Sequence, residues 1–200
     1  MLRIGLVMLQ GARHAHINAL NSAADELKIE IKIFELRKNT DLLESAPHVI
    51  ILPGGESTTM RLIGNGTNSQ LLPELFKWMR DNPNSPVMGT CAGAILLSDP
   101  QDGGEKIIDA KVNRNGYGGQ SESFQSIVNS NLIDSEFPGV FIRAPRFSSI
   151  GPESIPVVSH DGEIVGVRTN NRIALTFHPE LSNDNSFHKW LLSKASGVFS

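Results

Sequence analysis

With 200 residues, 40% of them hydrophobic and 20% charged, the chain is long enough to bury about 70% of the surface its unfolded form exposes. A net charge of −3 provides no basic field for nucleic acid or an anionic membrane, and no apolar run reaches the roughly 20 residues that span a bilayer. The single cysteine excludes an intramolecular disulfide and points to a reducing compartment, the cytoplasm. The opening MLRIGLVMLQGARH lacks the small-residue cleavage site of a secretory signal, and in that compartment the sequon at Asn65-Gly66-Thr67 has no chemical consequence.

In chain order, residues 4–9 (IGLVML), 48–52 (HVIIL) and 86–89 (PVMG) are apolar on both faces, as strands of a buried parallel sheet are. After the first, residues 13–28 place Ile17, Leu20, Ala24 and Leu27 at helical spacing, and EIKIFEL (30–36) follows as a further strand. After the second comes PGGESTTMRLIG, where Ser57 is placed to cap a short helix. QLLPELFKWMRD (70–81) is the next helix, with Leu72, Leu75, Phe76 and Met79 on one stripe. Strand and helix alternating in this way predict an α/β fold with a mostly parallel sheet. Residues 156–180 read differently. Their strand-like runs are broken by Asp161-Gly162 and Asn170-Asn171, dipeptides suited to two-residue hairpin turns, so antiparallel strands are expected toward the C-terminus. NSFHKWLLSKA (185–195) closes the chain as a helix. Neither repeats nor a linker divide it, and 1–200 reads as one domain.

Cys91 lies where the strand PVMG meets the helical AGAILL, flanked by Gly89 and Gly93. Taken alone, a lone cysteine is most often a small buried hydrophobe. This placement is instead that of a nucleophile elbow, whose small neighbours permit a strained turn that lifts the side chain out of the sheet. The following helix N-terminus favours a thiolate, and an unassisted thiol would be only about 3% ionised at neutral pH. A base is then needed. His14, His16, His48, His160 and His188 read as surface or strand-end residues, whereas His178 stands in TFHPEL with Glu180 two positions on. In an extended segment those two side chains share a face, so Glu180 can orient the imidazole while Pro179 points away. LPGGEST (52–58) reads either as an ordinary turn or as a backbone brought close to a ligand, with the N–H groups of Gly55 and Ala92 forming an oxyanion hole.

GTCAG, PGGEST and FHPEL together resemble the class I, or triad, glutamine amidotransferases. More narrowly the chain resembles the family of glutaminase subunits of pyridoxal 5′-phosphate (vitamin B6) synthase. That resemblance rests on LQGARHAH (9–16), PGGESTTMRLI (53–63), GTCAGAILL (89–97), RNGYGGQ (114–120), GVFIRAP (139–145) and FHPELS (177–182), in the family's order over nearly the whole chain. It implies a three-layer, flavodoxin-like open sheet flanked by helices, with added antiparallel strands in the C-terminal half. It implies Cys91 as nucleophile, His178 as general base and acid, and Glu180 as its orienter. It further implies L-glutamine bound by Gly55, Glu56, Ser57, Arg114, Ile142 and Arg143, with Gln10 near the oxyanion hole and the partner interface. The implied partner is a β/α-barrel synthase subunit that takes the ammonia, and neither a metal nor an organic cofactor is implied. One departure stands out: the family's arginine before Gln120 is Gly119 here.

Three other readings remain open on sequence. The chain could serve another amidotransferase, such as imidazole glycerol phosphate synthase in histidine biosynthesis. It could be a non-catalytic docking module of the same fold, although a decayed site would be expected to lose one of its three members. Cys91, His178 and Glu180 could also be zinc ligands, although a lone thiol at an elbow suits a nucleophile better.

Overall fold

The computed structural model describes residues 1–114, 123–134 and 136–199. Within them the strands are β1 (Leu2–Val7), β2 (Ile31–Leu36), β3 (Val49–Leu52), β4 (Val87–Thr90), β5 (Ala110–Asn113), β6 (Phe124–Ser130), β7 (Phe137–Phe141), β8 (Arg146–Ile150), β9 (Ile155–His160), β10 (Glu163–Thr169) and β11 (Arg172–Leu175). The helices are α1 (Arg13–Leu27), α2 (Asn39–Ser45), α3 (Ser57–Asn65), α4 (Leu71–Asp81), α5 (Ala92–Ser98) and α6 (Ser186–Phe199). Nine strands form one sheet in the order β2-β1-β3-β4-β11-β10-β9-β6-β7, while β5 and β8 pair separately. The half from β2 to β11 is parallel, and from β11 onward every pairing is antiparallel.

The parallel half is apolar on both faces because each face meets helices. In β3, Val49 and Ile51 enter one core and Ile50 and Leu52 the other; in β11, Ile173 and Leu175 oppose Ala174 in the same way. The first core is closed by Leu20, Ala23 and Ala24 of α1 and by Phe187, Leu191, Leu192 and Ala195 of α6. The second is closed by Met60 of α3, the α4 stripe, and Ala94, Leu96 and Leu97 of α5. The four stripe residues Leu72, Leu75, Phe76 and Met79 are all fully buried, each contributing about 1.5–3 kcal/mol of hydrophobic burial. Three layers result, as the resemblance implies.

Two expectations shift in detail. β1 spans 2–7 rather than 4–9, because Leu2 through Val7 pair in register with Ile31 through Leu36, and the chain leaves the sheet at Met8 toward α1. The antiparallel strands begin well before residue 156, with β6 and β7 forming the sheet's far edge. Both expected hairpins form. Asp161 and Gly162 take φ of +46° and +79° between His160 and Glu163, and Asn170 takes +52° before Arg172.

The order β2-β1-β3-β4 reverses direction between β1 and β3. In open α/β sheets the crevice outside the carboxyl ends of the strands at such a reversal is where ligands bind. The loops leaving β1, β3, β4 and β11 all emerge at that edge and carry Gln10, Gly55, Cys91 and His178. No helix among the described residues is long and apolar enough to cross a membrane.

Candidate active site

Cys91 is the whole turn between β4 and α5. Its φ of +51° and ψ of −107° lie outside the regions open to an ordinary side-chain-bearing residue, a strain of roughly 1–3 kcal/mol that the surroundings must hold in place. They do so from two sides. The Cys91 N–H donates to Leu175 O of β11 at 2.8 Å, and its carbonyl accepts from the N–H groups of Ala94 and Ile95. Gly93 permits the close approach of α5 to β3, since a Cβ there would stand 2.0 Å from the Leu52 carbonyl oxygen. The sulfur is largely buried, with the Ile142 carbonyl oxygen 3.8 Å away.

His178 follows β11, and its backbone N–H donates to Val140 O of β7 at 2.8 Å. The antiparallel edge thus fixes the segment that carries the base candidate. The imidazole Nδ1 lies 2.8 Å from Glu180 Oε1, and the Glu180 side chain is fully buried. The pair meets as expected but by a different backbone: Pro179–Leu181 forms a 3-10 turn rather than an extended segment. Burial opposes charge on His178, yet the neighbouring Cys91 sulfur and the Glu180 carboxylate outweigh it and push the imidazole up to about 10. Glu180 is held below the usual carboxylate range, its burial outweighed by His16 and by the His178 hydrogen bond. The Gly54 backbone passes so close that a Cβ there would stand 2.4 Å from His178 Cε1 and 3.4 Å from Cys91 Cβ. Thiol, imidazole and carboxylate therefore form one contiguous set, walled by the PGG loop.

A cleft of about 830 Å³ opens over this set. Gly55, Glu56, Ser57, Arg114, Ile142 and Arg143 all line it, together with Cys91 and His178. Thr58 and Leu181 also line it and carry no sequence signal that singles them out. Ala92, at the first position of α5, has an N–H with no acceptor inside the helix. Gln10 lies under the loop, its Oε1 accepting from the Glu56 N–H at 2.6 Å. The cap of α3 is Glu56, not Ser57: its carboxylate accepts from the N–H groups of Thr58 and Thr59, which, with the Thr59 hydroxyl, lower its pKa to about 2. Ser57 is instead the first helical residue and is buried. Arg114 reaches Thr58 Oγ1 at 3.5 Å and Asp99 at 3.9 Å. Gly119 and Gln120 lie outside the described residues. Among the described residues, no group of three or more His, Cys, Asp or Glu side chains is arranged to hold a metal ion.

The sequence profile of the SNO glutamine amidotransferase family matches residues 6–196. The chain belongs to that family. Curated relatives include the pyridoxal 5′-phosphate synthase subunit PdxT of Thermococcus onnurineus, 40% identical over 98% of this chain and 100% of the relative. Its namesake in Pyrococcus abyssi is 38% identical over 97% of this chain and 100% of the relative. Among solved structures, a glutamine amidotransferase superposes with a TM-score of 0.77 at 34% identity, covering 96% of this chain and 98% of that one. The α/β fold, whose one sheet joins the expected parallel half to an antiparallel half of equal extent, is thus that of the class I glutamine amidotransferases.

Two histidines expected at the surface or at strand ends are neither. His16 and His188 are fully buried in this family member, His16 directly behind Glu180 and His188 behind His16. The helical periodicity carried the signal: His16 precedes Leu20 by one turn on the buried face of α1, and His188 precedes Leu191 and Leu192 on α6.

Proposed function

We propose that the chain is the glutaminase subunit of a pyridoxal 5′-phosphate synthase. It hydrolyses L-glutamine to L-glutamate and ammonia and supplies the ammonia to the synthase subunit. The observation that carries the reading is the contiguous set of Cys91, His178 and Glu180, the first two lining a cleft with two arginines and the third buried behind His178. In this mechanism Arg114 and Arg143 hold the α-carboxylate of glutamine by charge-assisted hydrogen bonds, and Gly55, Glu56, Ser57 and Ile142 complete its site. The Cys91 sulfur, as thiolate, attacks the γ-carboxamide carbon, and the N–H groups of Gly55 and Ala92 hold the resulting oxyanion. His178, oriented by Glu180, donates a proton to the departing nitrogen, and C–N cleavage releases ammonia and leaves a thioester. The neutral imidazole then takes a proton from water, whose oxygen attacks the thioester carbon. Collapse returns the sulfur and frees glutamate.

Residues 1–200 act as one domain, a reading supported by the single nine-stranded sheet with a core on each face. The partner is a β/α-barrel synthase, and the setting is the cytoplasm. Glutamate release is to be measured for wild type and Cys91→Ser, each with and without the synthase subunit. Wild type is expected to turn over glutamine faster with the partner present, and Cys91→Ser to show no turnover. Turnover by Cys91→Ser would remove Cys91 from its role.

A further inference from the structure

Behind the cleft the buried polar chain does not stop at Glu180. His16 Nε2 of α1 lies 3.5 Å from Glu180 Oε1, and His16 Nδ1 lies 3.2 Å from His188 Nε2 of α6. Both histidines are fully buried, and Glu180 is 4% exposed. A carboxylate taken out of water needs donors on its oxygens. Among the described residues Glu180 Oε2 has no hydrogen-bond partner, and neither does His16 Nε2 or His188 Nδ1. The side chains that interact electrostatically with His16 are Glu180, His178 and His188.

These contacts select one arrangement of protons. With a proton on Nδ1, His16 would turn the Nε2 lone pair toward the Glu180 carboxylate, an acceptor facing an acceptor. With a proton on Nε2, the His16 N–H faces Glu180, and His16 Nδ1 accepts from the His188 Nε2–H. The ordered run is then His188 to His16 to Glu180, with His178 donating to the same Glu180 oxygen from the other side. Burial favours the neutral form of both rings against the pull of Glu180 and holds His188 down at about 3. The 3.5 Å separation is long for a settled hydrogen bond, as catalytic contacts often are before substrate tightens them.

We infer that His16, with its tautomer fixed by His188, is a positioning residue that supplies an N–H to Glu180 and so holds the carboxylate against His178. This rests on the glutaminase reading above. Helices α1 and α6 become part of the machinery rather than only its wall, since each contributes one ring to the run.

The test compares wild type, His16→Leu, His16→Gln and Cys91→Ser for glutamate release in the presence of the synthase subunit. It is joined by the imidazole nitrogen NMR spectrum of His16 in the wild-type chain. Glutamine at position 16 can place an N–H near the position of Nε2, whereas leucine cannot. His16→Leu is expected to lower kcat about tenfold, the scale of partners behind a functional group, with KM within twofold. His16→Gln is expected to recover most of that loss, and the spectrum to show neutral His16 protonated on Nε2. Wild-type kcat in His16→Leu, equal impairment in both His16 variants, or an Nδ1–H tautomer would each overturn the inference. If His16→Leu does not fold, the tautomer decides alone. A Cys91→Ser protein that lacks turnover while His16→Leu keeps the wild-type rate sinks only the positioning role. A Cys91→Ser protein that turns over glutamine sinks the triad reading and this inference with it.

Discussion

Gly93→Ala adds one methyl group at the point where α5 closes on β3. The new Cβ would stand 2.0 Å from the Leu52 carbonyl oxygen and 2.8 Å from its carbon, where real contacts begin at about 3.0 Å. Leu52 belongs to a fully buried central strand, so its carbonyl cannot rotate aside. The N-terminus of α5 must therefore retreat by at least about 1 Å, and Cys91, two residues earlier, moves with it. Overpacking of this kind costs up to about 3 kcal/mol, and alanine returns about 1 kcal/mol of helix propensity over glycine. The net loss is about 2 kcal/mol, read as a lower urea midpoint with unchanged slope. The effect on turnover is larger, since a 1 Å misplacement of a reacting group costs about 100-fold. Steady-state glutamate release with the synthase subunit present should show that loss mainly in kcat, because Arg114 and Arg143, proposed above to hold glutamine, lie on other segments of the cleft. A Gly93→Ala protein with wild-type kcat and wild-type stability would refute the claim that the tight elbow places the sulfur.

Three further outcomes follow from the same geometry. Glu180→Gln keeps an acceptor for His178 Nδ1 but removes the charge, and is expected to lower kcat by roughly 10²–10⁴-fold with little change in KM; a loss confined to KM would contradict the orienting role. The His178 imidazole sits at about 10 in the folded chain against about 6.5 unfolded. A raised value means that its stabilising contribution is fully present below pH 6.5 and is lost as pH rises through about 10. Urea unfolding of wild type and His178→Gln should accordingly show a difference that shrinks from pH 6 to pH 10, and a difference that grows would show the sign to be wrong. Phe187 of α6 is fully buried, with its ring centroid 4.8 Å from that of Phe137 and 5.7 Å from that of Phe177. Phe187→Ala should cost about 3–5 kcal/mol in chemical denaturation, and a loss under 1 kcal/mol would mean that α6 is not anchored there.

The parallel half of the sheet was legible because HVIIL and PVMG are apolar on both faces, a pattern that only helices above and below explain. The antiparallel strands before residue 156 were not. In β6 and β8 the sequences FQSIVNS and RFSSI are mostly polar and half exposed, so pairing partners rather than composition make them strands. The elbow announced itself through Gly89 and Gly93, and its strain is present at Cys91. The two-residue spacing of His178 and Glu180 does bring them together, but through a 3-10 turn rather than an extended segment. Residue-type preference favours Ser57 as cap, yet Glu56 reaches the free N–H groups from one position earlier. Nothing in residue type marks His16 and His188 as buried, although their spacing to Leu20 and Leu191 puts both on buried faces.

The most direct measurement is covalent trapping of the chain, bound to its synthase subunit, with an electrophilic analogue of glutamine, followed by peptide mass mapping and residual activity. A single adduct on Cys91, formed in step with the loss of glutamate release and slowed by added glutamine, is the predicted result. Activity lost while the peptide holding Cys91 stays unmodified would contradict the account.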